Sequence, residues 1–317
     1  MEWALVSLGL VILLLAGDAL VRGAVNMSLR VGIPALIVSL TIVAFGTSAP
    51  ELLISLQAAL KGAPGIAMGN VVGSNTANIL LVLGVPAILA TLHTSHCNTR
   101  KTYLYMIAAS LLFIALASRG VFTFGSGLIL LAALIFVLGD AFHQARCHRR
   151  AAKANVQEDE EDVEGADPDM PWWRIIVFLV LGLIGLPLGA DLMVDNAEII
   201  ARRYGVSDVV IGLTLVALGT SLPELATTVM AALRRQADVA LGNVIGSNMF
   251  NLLAIVGITS LVRPIPVDPK FLQFDLWVML GASILIVPFV FLKQDINRVW
   301  GVALTLLYLL YILIVLT

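Results

Sequence analysis

Long apolar runs, each of about twenty residues, alternate with short polar connections along the chain. Such runs predict membrane-spanning helices, because a helix of this length crosses the hydrocarbon core and satisfies its own backbone hydrogen bonds. We predict an all-α polytopic membrane protein whose ten transmembrane helices cover residues 3–21, 33–60, 65–90, 102–118, 122–145, 172–200, 207–233, 238–261, 272–292 and 297–316.

The two halves of the chain repeat each other at an offset of 173 residues. Residues 41–52 match 214–225 at nine of twelve positions, and residues 68–78 match 241–251 at seven of eleven. Five helices make an odd number of crossings, so the second half must enter the bilayer from the opposite side. The sequence therefore predicts two inverted five-helix repeats.

Composition and charge agree with a membrane protein and give its orientation. The chain is 59% hydrophobic and 13% charged, whereas soluble domains average about 25% charged residues. With the N-terminus outside, thirteen of the nineteen Lys and Arg residues fall on the inner side, as the positive-inside rule requires. We predict a multi-pass protein of the inner (cytoplasmic) membrane with both termini outside and no cleavable signal peptide. Its parts are the first repeat 1–145, a cytoplasmic linker 146–171 and the second repeat 172–317.

One motif in each half places a glutamate inside an apolar run. It reads Gly-Thr-Ser-Ala-Pro-Glu up to Glu51 and Gly-Thr-Ser-Leu-Pro-Glu up to Glu224. A carboxylate at membrane depth is costly and marks an ion or proton path. Pro50 and Pro223 each lack an N–H and clash with the carbonyl four residues earlier, so both helices should break at the motif. A proline kink with hydroxyls bonded to the helix would explain the Thr, Ser and Pro, but it leaves the glutamates unexplained.

A second motif pair puts polar stripes on the third and eighth helices. Asn70, Ser74 and Asn78 lie four residues apart, which is one face of a helix, and their counterparts are Asn243, Ser247 and Asn251. For Asn70, Asn75, Asn243 and Asn248, contact between helices and a role in a binding site are both open. For Ser74, Asn78, Ser247 and Asn251 the site is favoured, since these residues continue toward the middle of the membrane.

The polar atoms at this depth are oxygen ligands, because neither Cys97 nor Cys147 nor any histidine lies there. Zinc, copper and iron therefore fit poorly. A flexible site of six to eight oxygens suits Ca²⁺. Two carboxylates balance one divalent ion or most of the charge of two or three Na⁺, so these ions would compete for one site.

Together the two motif pairs resemble the α-repeats of the sodium/calcium exchanger family, within the cation/calcium antiporter superfamily, and most of all its short prokaryotic members. The resemblance implies that Glu51 and Glu224 are the central Ca²⁺ ligands and that Asn78 and Asn251 complete the centre. It implies that flanking Na⁺ sites are lined by hydroxyls and backbone carbonyls, those of Thr47, Ser48, Ser74, Thr220, Ser221, Ser247, Ala44 and Ala217. It further implies that the first and sixth helices slide as a gate against the other eight. Some members of the family carry an aspartate at the position of Asn251, so the ion stoichiometry and any K⁺ dependence stay open.

The leading hypothesis is a secondary antiporter that extrudes Ca²⁺ with the inward Na⁺ gradient. A Ca²⁺/H⁺ antiporter is the alternative, because buried glutamates also carry protons, and a cation channel is a third hypothesis. No nucleophile–base set appears at depth, so we predict no enzymatic activity. The expected partners are Ca²⁺, Na⁺ and the lipid bilayer, with no cofactor and no nucleic acid.

Overall fold

Helices account for nearly all of the chain in the computed structural model, which describes residues 1–154, 167, 169–205 and 217–316. We number these helices α1 Glu2–Val31, α2 Ala35–Thr47, α3 Ala49–Leu60, α4 Pro64–Leu89, α5 Arg100–Ala117, α6 Phe124–Ala154, α7 Trp172–Arg203, α8 Ala217–Thr220, α9 Leu222–Leu233, α10 Ala237–Val262, α11 Phe271–Phe291 and α12 Arg298–Leu316. Two short strands, β1 Val121–Phe122 and β2 Ile265–Pro266, pair antiparallel. Single π-helical turns interrupt α2 at Ser39–Val43 and α10 at Phe250–Ile255, and a third opens α11 at Phe271–Asp275.

Eight of the described helices are long and apolar enough to cross a membrane, and the bent pair α2 and α3 makes a ninth span. The chain is therefore a multi-pass helical membrane protein. The seventh predicted span, 207–233, is described only from Ala217 onward, as α8 and the short apolar helix α9. The total of ten spans stays a prediction, since residues 206–216 lie outside the described part of the chain.

One predicted boundary is wrong. The sequence predicts that the first span ends at residue 21, but α1 continues to Val31 and ends at Gly32, whose φ of 72° allows the left-handed cap. No proline precedes Gly32, and the polar Asn26 bonds back to the carbonyl of Arg22, so polarity alone does not end this helix. The fifth predicted span, 122–145, corresponds to the apolar part of α6, Phe124–His148. The helix α6 itself continues to Ala154, through good helix formers.

The centre of the molecule is formed by α4 and α10. Their most apolar stretches are 78% and 89% buried, against 33% for α1 and 28% for α7. The helices α1 and α7 instead pack on each other at the side of this centre. A Cβ at Gly9 would lie 2.8 Å from the Gly189 carbonyl oxygen, while Gly23 approaches Leu179. Later residues of α1 thus contact earlier residues of α7, so the two helices are antiparallel and very close.

Several helix contacts occur in two similar copies. Gly84 of α4 lies against Gly301 of α12, and Gly257 of α10 lies against Gly127 of α6. The same is true of two short extended pairs, in which Leu92 bridges to Ile296 and Phe122 pairs with Ile265. Each contact relates to its counterpart by the sequence offset found above, to within one residue. The internal repeat of the sequence is thus accompanied by repeated contacts.

Candidate ion-binding site

The glutamate motifs break their helices as predicted. The axes of α2 and α3 differ by 43°, and the break falls at Ser48, one residue before α3 begins. In the second motif α8 ends at Thr220 and α9 begins at Leu222, so the break falls at Ser221. Proline is the second residue of both α3 and α9, a position where its missing N–H is tolerated.

Both glutamates lie in the first turn of the helix that follows the break. Glu51 and Glu224 are each 1% exposed, and the partial positive charge of a helix N-terminus favours a carboxylate there. The Ser48 hydroxyl donates to Oε1 of Glu224 at 3.2 Å. The two carboxylates are close enough to interact electrostatically. The two motifs, 173 residues apart in sequence, therefore meet at one buried point.

Hydroxyl groups from both halves surround Glu224. Thr47, Ser48 and Ser247 all lie within reach of its carboxylate. Thr47 also donates to the Asn243 amide oxygen at 3.3 Å, and its hydroxyl lies 3.4 Å from that of Ser247. The remaining predicted hydroxyl residues are buried as well, with exposed fractions of 4% for Ser74, 8% for Thr220 and 2% for Ser221.

Asn70 and Asn243 connect helices rather than face an ion. The Asn70 amide donates to the Glu51 backbone carbonyl at 3.1 Å and to the Ser55 hydroxyl at 2.9 Å. The Asn243 amide makes the equivalent bonds, to the Glu224 carbonyl at 3.4 Å and to Thr228 at 3.2 Å. The structure thus favours the helix-contact interpretation for these two residues.

Asn78 and Asn251 are fully buried and keep amide oxygens free of protein partners within the described residues. The Asn78 amide nitrogen donates to the Asn248 side-chain oxygen at 3.0 Å. Asn251 lies in the π-helical turn Phe250–Ile255, and such turns are frequent at functional sites. The Ala44 carbonyl accepts a bond from the Ser48 N–H at 3.0 Å, so it remains tied to its helix. Ala217 is the first described residue of α8, at the corresponding position of the second motif.

The unsatisfied polar atoms test whether these residues fit a cation. Within the described part of the chain, six buried side-chain oxygens of the predicted ligand residues have no hydrogen-bond partner. They are both carboxylate oxygens of Glu51, Oε2 of Glu224, the amide oxygens of Asn78 and Asn251, and the Ser221 hydroxyl. Burying such groups without a partner is costly, and all of them are hard ligands of the kind that Ca²⁺ takes. No three His, Cys, Asp or Glu side chains cluster for metal binding among the residues described.

Sequence reasoning missed two contacts near the site. Asp18 pairs with Arg22, four residues along α1, at 3.0 Å, and its second oxygen binds Arg234, which follows α9. This ion pair ties α1 to the helix that carries Glu224. The other missed contact is the bond between Asn78 and Asn248. The partners in each contact are far apart in sequence and lie on different helices, so no local pattern could have indicated them.

Comparison with known proteins settles the family. The family model described as "Sodium/calcium exchanger protein" matches residues 1–139 and 174–317. The chain belongs to the sodium/calcium exchanger family. The match confirms the family resemblance that the two motif pairs indicate. It also identifies the protein as an exchanger of cations across a membrane.

Individual relatives of this exchanger match along most of their length. The sodium/calcium exchanger MaX1 of Methanosarcina acetivorans is 32% identical, with 99% of this chain and 98% of MaX1 covered. The inner membrane protein YrbG of Escherichia coli K12 is 34% identical over 89% of this chain and 86% of its own. A solved structure of the sodium-calcium exchanger NCX_Mj superposes with a TM-score of 0.81 at 32% identity, covering 99% of this chain and 98% of that one.

Proposed function

We propose that this exchanger extrudes Ca²⁺ across the cytoplasmic membrane in exchange for Na⁺ that enters down its gradient, by alternating access. The observation that carries the proposal is the meeting of two buried carboxylates from two broken helices, joined through the bond from Ser48 to Glu224. Together they balance the charge of one Ca²⁺, or most of the charge of two or three Na⁺. The two kinds of ion then exclude each other from one site, which is what exchange requires.

The oxygen atoms divide into a centre and its flanks. Ca²⁺ binds at the centre to Glu51, Glu224, Asn78 and Asn251, whose free oxygens are those identified above. Na⁺ binds at flanking positions to the hydroxyls and carbonyls of Thr47, Ser48, Ser74, Thr220, Ser221, Ser247, Ala44 and Ala217. A monovalent ion needs less charge than Ca²⁺, so neutral oxygens suffice at the flanks.

The gate in this proposal is the pair α1 and α7. These helices pack tightly on each other, and their most apolar stretches are only 33% and 28% buried. Their antiparallel arrangement supports an inverted repeat, because Asp18 in α1 and Asp191 in α7 are related by the offset of 173 residues. Sliding of α1 along the core must break or remake the ion pair between Asp18 and Arg234.

The orientation follows from the basic residues. Both termini lie outside and the linker 146–171 lies in the cytoplasm, which puts thirteen of nineteen Lys and Arg residues on the inner side. The similarity to a protein named as an inner membrane protein supports the cytoplasmic membrane as the location.

The proposal is tested by ⁴⁵Ca²⁺ uptake into proteoliposomes under imposed Na⁺, K⁺ or H⁺ gradients. We expect uptake when Na⁺ is high inside the vesicles and low outside, and no uptake when only H⁺ or K⁺ is unequal. Uptake that follows the H⁺ gradient alone would show a Ca²⁺/H⁺ antiporter. Uptake that needs no counter-ion gradient and follows the membrane potential would show a channel. Either result would overturn Na⁺/Ca²⁺ exchange.

A further inference from the structure

The amide of Asn78 can serve a cation only if its oxygen, and not its NH₂ group, faces the site. An amide presents an acceptor on one side and two donors on the other, and a donor pointed at Ca²⁺ would repel it. In the structure the amide nitrogen of Asn78 points at Asn248, with 3.0 Å between Nδ2 and the Asn248 side-chain oxygen. The oxygen of Asn78 is left buried and without a partner among the described residues.

The direction of this bond is fixed by groups that can only accept. The Asn248 amide nitrogen donates to the backbone carbonyl of Asn75 at 3.3 Å and approaches the thioether sulfur of Met106 at 3.8 Å. A backbone carbonyl has no proton to give, so the nitrogen of Asn248 must face it. The oxygen of Asn248 must then face Asn78, and the NH₂ group of Asn78 must face Asn248.

This chain of bonds is buried inside the protein. Asn75, Asn78 and Asn248 are each 1% exposed, and Met106 is fully buried. The bonds connect α4, α10 and α5, so the orientation of Asn78 depends on the packing of three helices. Asn251 differs, because neither of its amide atoms has a partner within the described chain.

We infer that Asn248 is a positioning residue, which locks the Asn78 amide with its oxygen toward the transported cation. The inference rests on the proposed function, since it takes Asn78 as a ligand. Partners of this kind behind a ligand typically change metal affinity by about tenfold to a hundredfold when they are removed. Asn248 itself does not touch the cation.

A double-mutant cycle separates positioning from plain packing. Asn248→Leu keeps the size of the side chain but removes the acceptor, so the Asn78 amide is free to turn. Asn78→Asp carries oxygen on both sides, so no orientation has to be chosen. Wild type, the two single variants and the double variant are compared by Ca²⁺ KM and kcat in proteoliposomes, and by equilibrium ⁴⁵Ca²⁺ binding to the purified proteins.

We expect Asn248→Leu in the otherwise wild-type protein to raise the Ca²⁺ KM and the Ca²⁺ dissociation constant about tenfold or more, with a smaller effect on kcat. In the Asn78→Asp background the same change should weaken Ca²⁺ binding by less than about twofold or strengthen it, because a carboxylate needs no lock and its oxygen would otherwise lie against the Asn248 oxygen. An equal loss of Ca²⁺ affinity in both backgrounds would show that Asn248 only packs helices. Wild-type affinity in Asn248→Leu would show that Asn248 neither positions Asn78 nor supports the site by packing. Equilibrium ⁴⁵Ca²⁺ binding completes the double-mutant cycle even if Asn78→Asp stops transport.

If Asn248→Leu is not monodisperse, Asn248→Ala takes its place, because it also removes the acceptor that holds Asn78 and adds no charge. That variant must then bind Ca²⁺ more weakly than the wild type, and wild-type affinity in a folded Asn248→Ala protein would overturn the inference. Failure of the proposed function looks different, since the wild-type protein itself would then not exchange Ca²⁺ for Na⁺.

Discussion

Replacing Glu224 by Gln removes one charge from the site while keeping its shape. The Gln oxygen can still accept the bond from Ser48 that Oε1 now accepts at 3.2 Å. What is lost is the negative charge and the second oxygen, Oε2, which has no protein partner in the described chain. Packing should therefore survive, and Ca²⁺ binding should not.

The size of the loss follows from Coulomb's law. A carboxylate oxygen about 2.4 Å from Ca²⁺, at an effective dielectric constant of about 20, contributes roughly 14 kcal/mol of attraction. A neutral Gln is cheaper to bury, which offsets much of this. A remainder of only about 3 kcal/mol after this offset is a loss of affinity of about a hundredfold. We therefore expect Glu224→Gln, and likewise Glu51→Gln, to abolish exchange at ordinary Ca²⁺ concentrations.

The assay is Na⁺-driven ⁴⁵Ca²⁺ uptake by purified protein whose monodispersity and thermal unfolding match the wild type. Asp275→Asn is the matched control, because it neutralises a carboxylate in α11 whose partner is the Tyr311 hydroxyl at 3.1 Å. The control should transport normally. A folded Glu51→Gln or Glu224→Gln protein that exchanges Ca²⁺ at nearly the wild-type rate would refute the shared site. Misfolding of both variants, with transport lost only through loss of protein, would instead indicate a structural network.

Three further predictions concern ion choice, topology and the gate. Because Asn251 carries an amide and no charge, Na⁺-driven Ca²⁺ uptake should persist when K⁺ is removed from both sides, and its loss would contradict this. A cysteine placed at Ala154 should resist an impermeant thiol reagent in intact cells and react after lysis, since the linker is predicted to be cytoplasmic; labelling of intact cells would reverse the topology. Arg234→Gln removes the ion pair with Asp18, whose side chains are 15% and 20% exposed, and should shift the balance between gate states by roughly 1 kcal/mol, about fivefold. The measured exchange rate should change by a similar factor while Ca²⁺ stoichiometry does not, and an unchanged rate would mean that α1 does not move against α9.

The repeated motifs made the main features of the site predictable. A glutamate in an apolar run, with a proline one residue before it, predicts a charged site at a helix break. The breaks at Ser48 and Ser221 confirm the predicted helix breaks. Because the two motifs are related by one offset, their meeting in space could be expected before any contact was known. The bond from Ser48 to Glu224 is that meeting.

Two features could not be predicted. The orientation of Asn78 depends on a partner that is distant in sequence, and the end of α1 depends on where the backbone can turn. The orientation of Asn78 is decided by Asn248 on another helix, and a sequence pattern carries no information about which side of an amide faces which neighbour. The predicted first span is too short because Asp18 and Arg22 resemble the end of a span, whereas their pairing keeps them inside the helix. A helix ends where the backbone can turn, here at Gly32, rather than where polarity begins.

In the proposed mechanism the two glutamate motifs form one site, for which Ca²⁺ and Na⁺ compete. Equilibrium ⁴⁵Ca²⁺ binding to the purified protein, titrated with Na⁺, tests it most directly. We expect one tightly bound Ca²⁺ per chain, complete displacement by Na⁺, and loss of that Ca²⁺ in Glu51→Gln and Glu224→Gln alike. Two Ca²⁺ per chain, or a single-glutamate variant that keeps a Ca²⁺ which Na⁺ fails to displace, would contradict it.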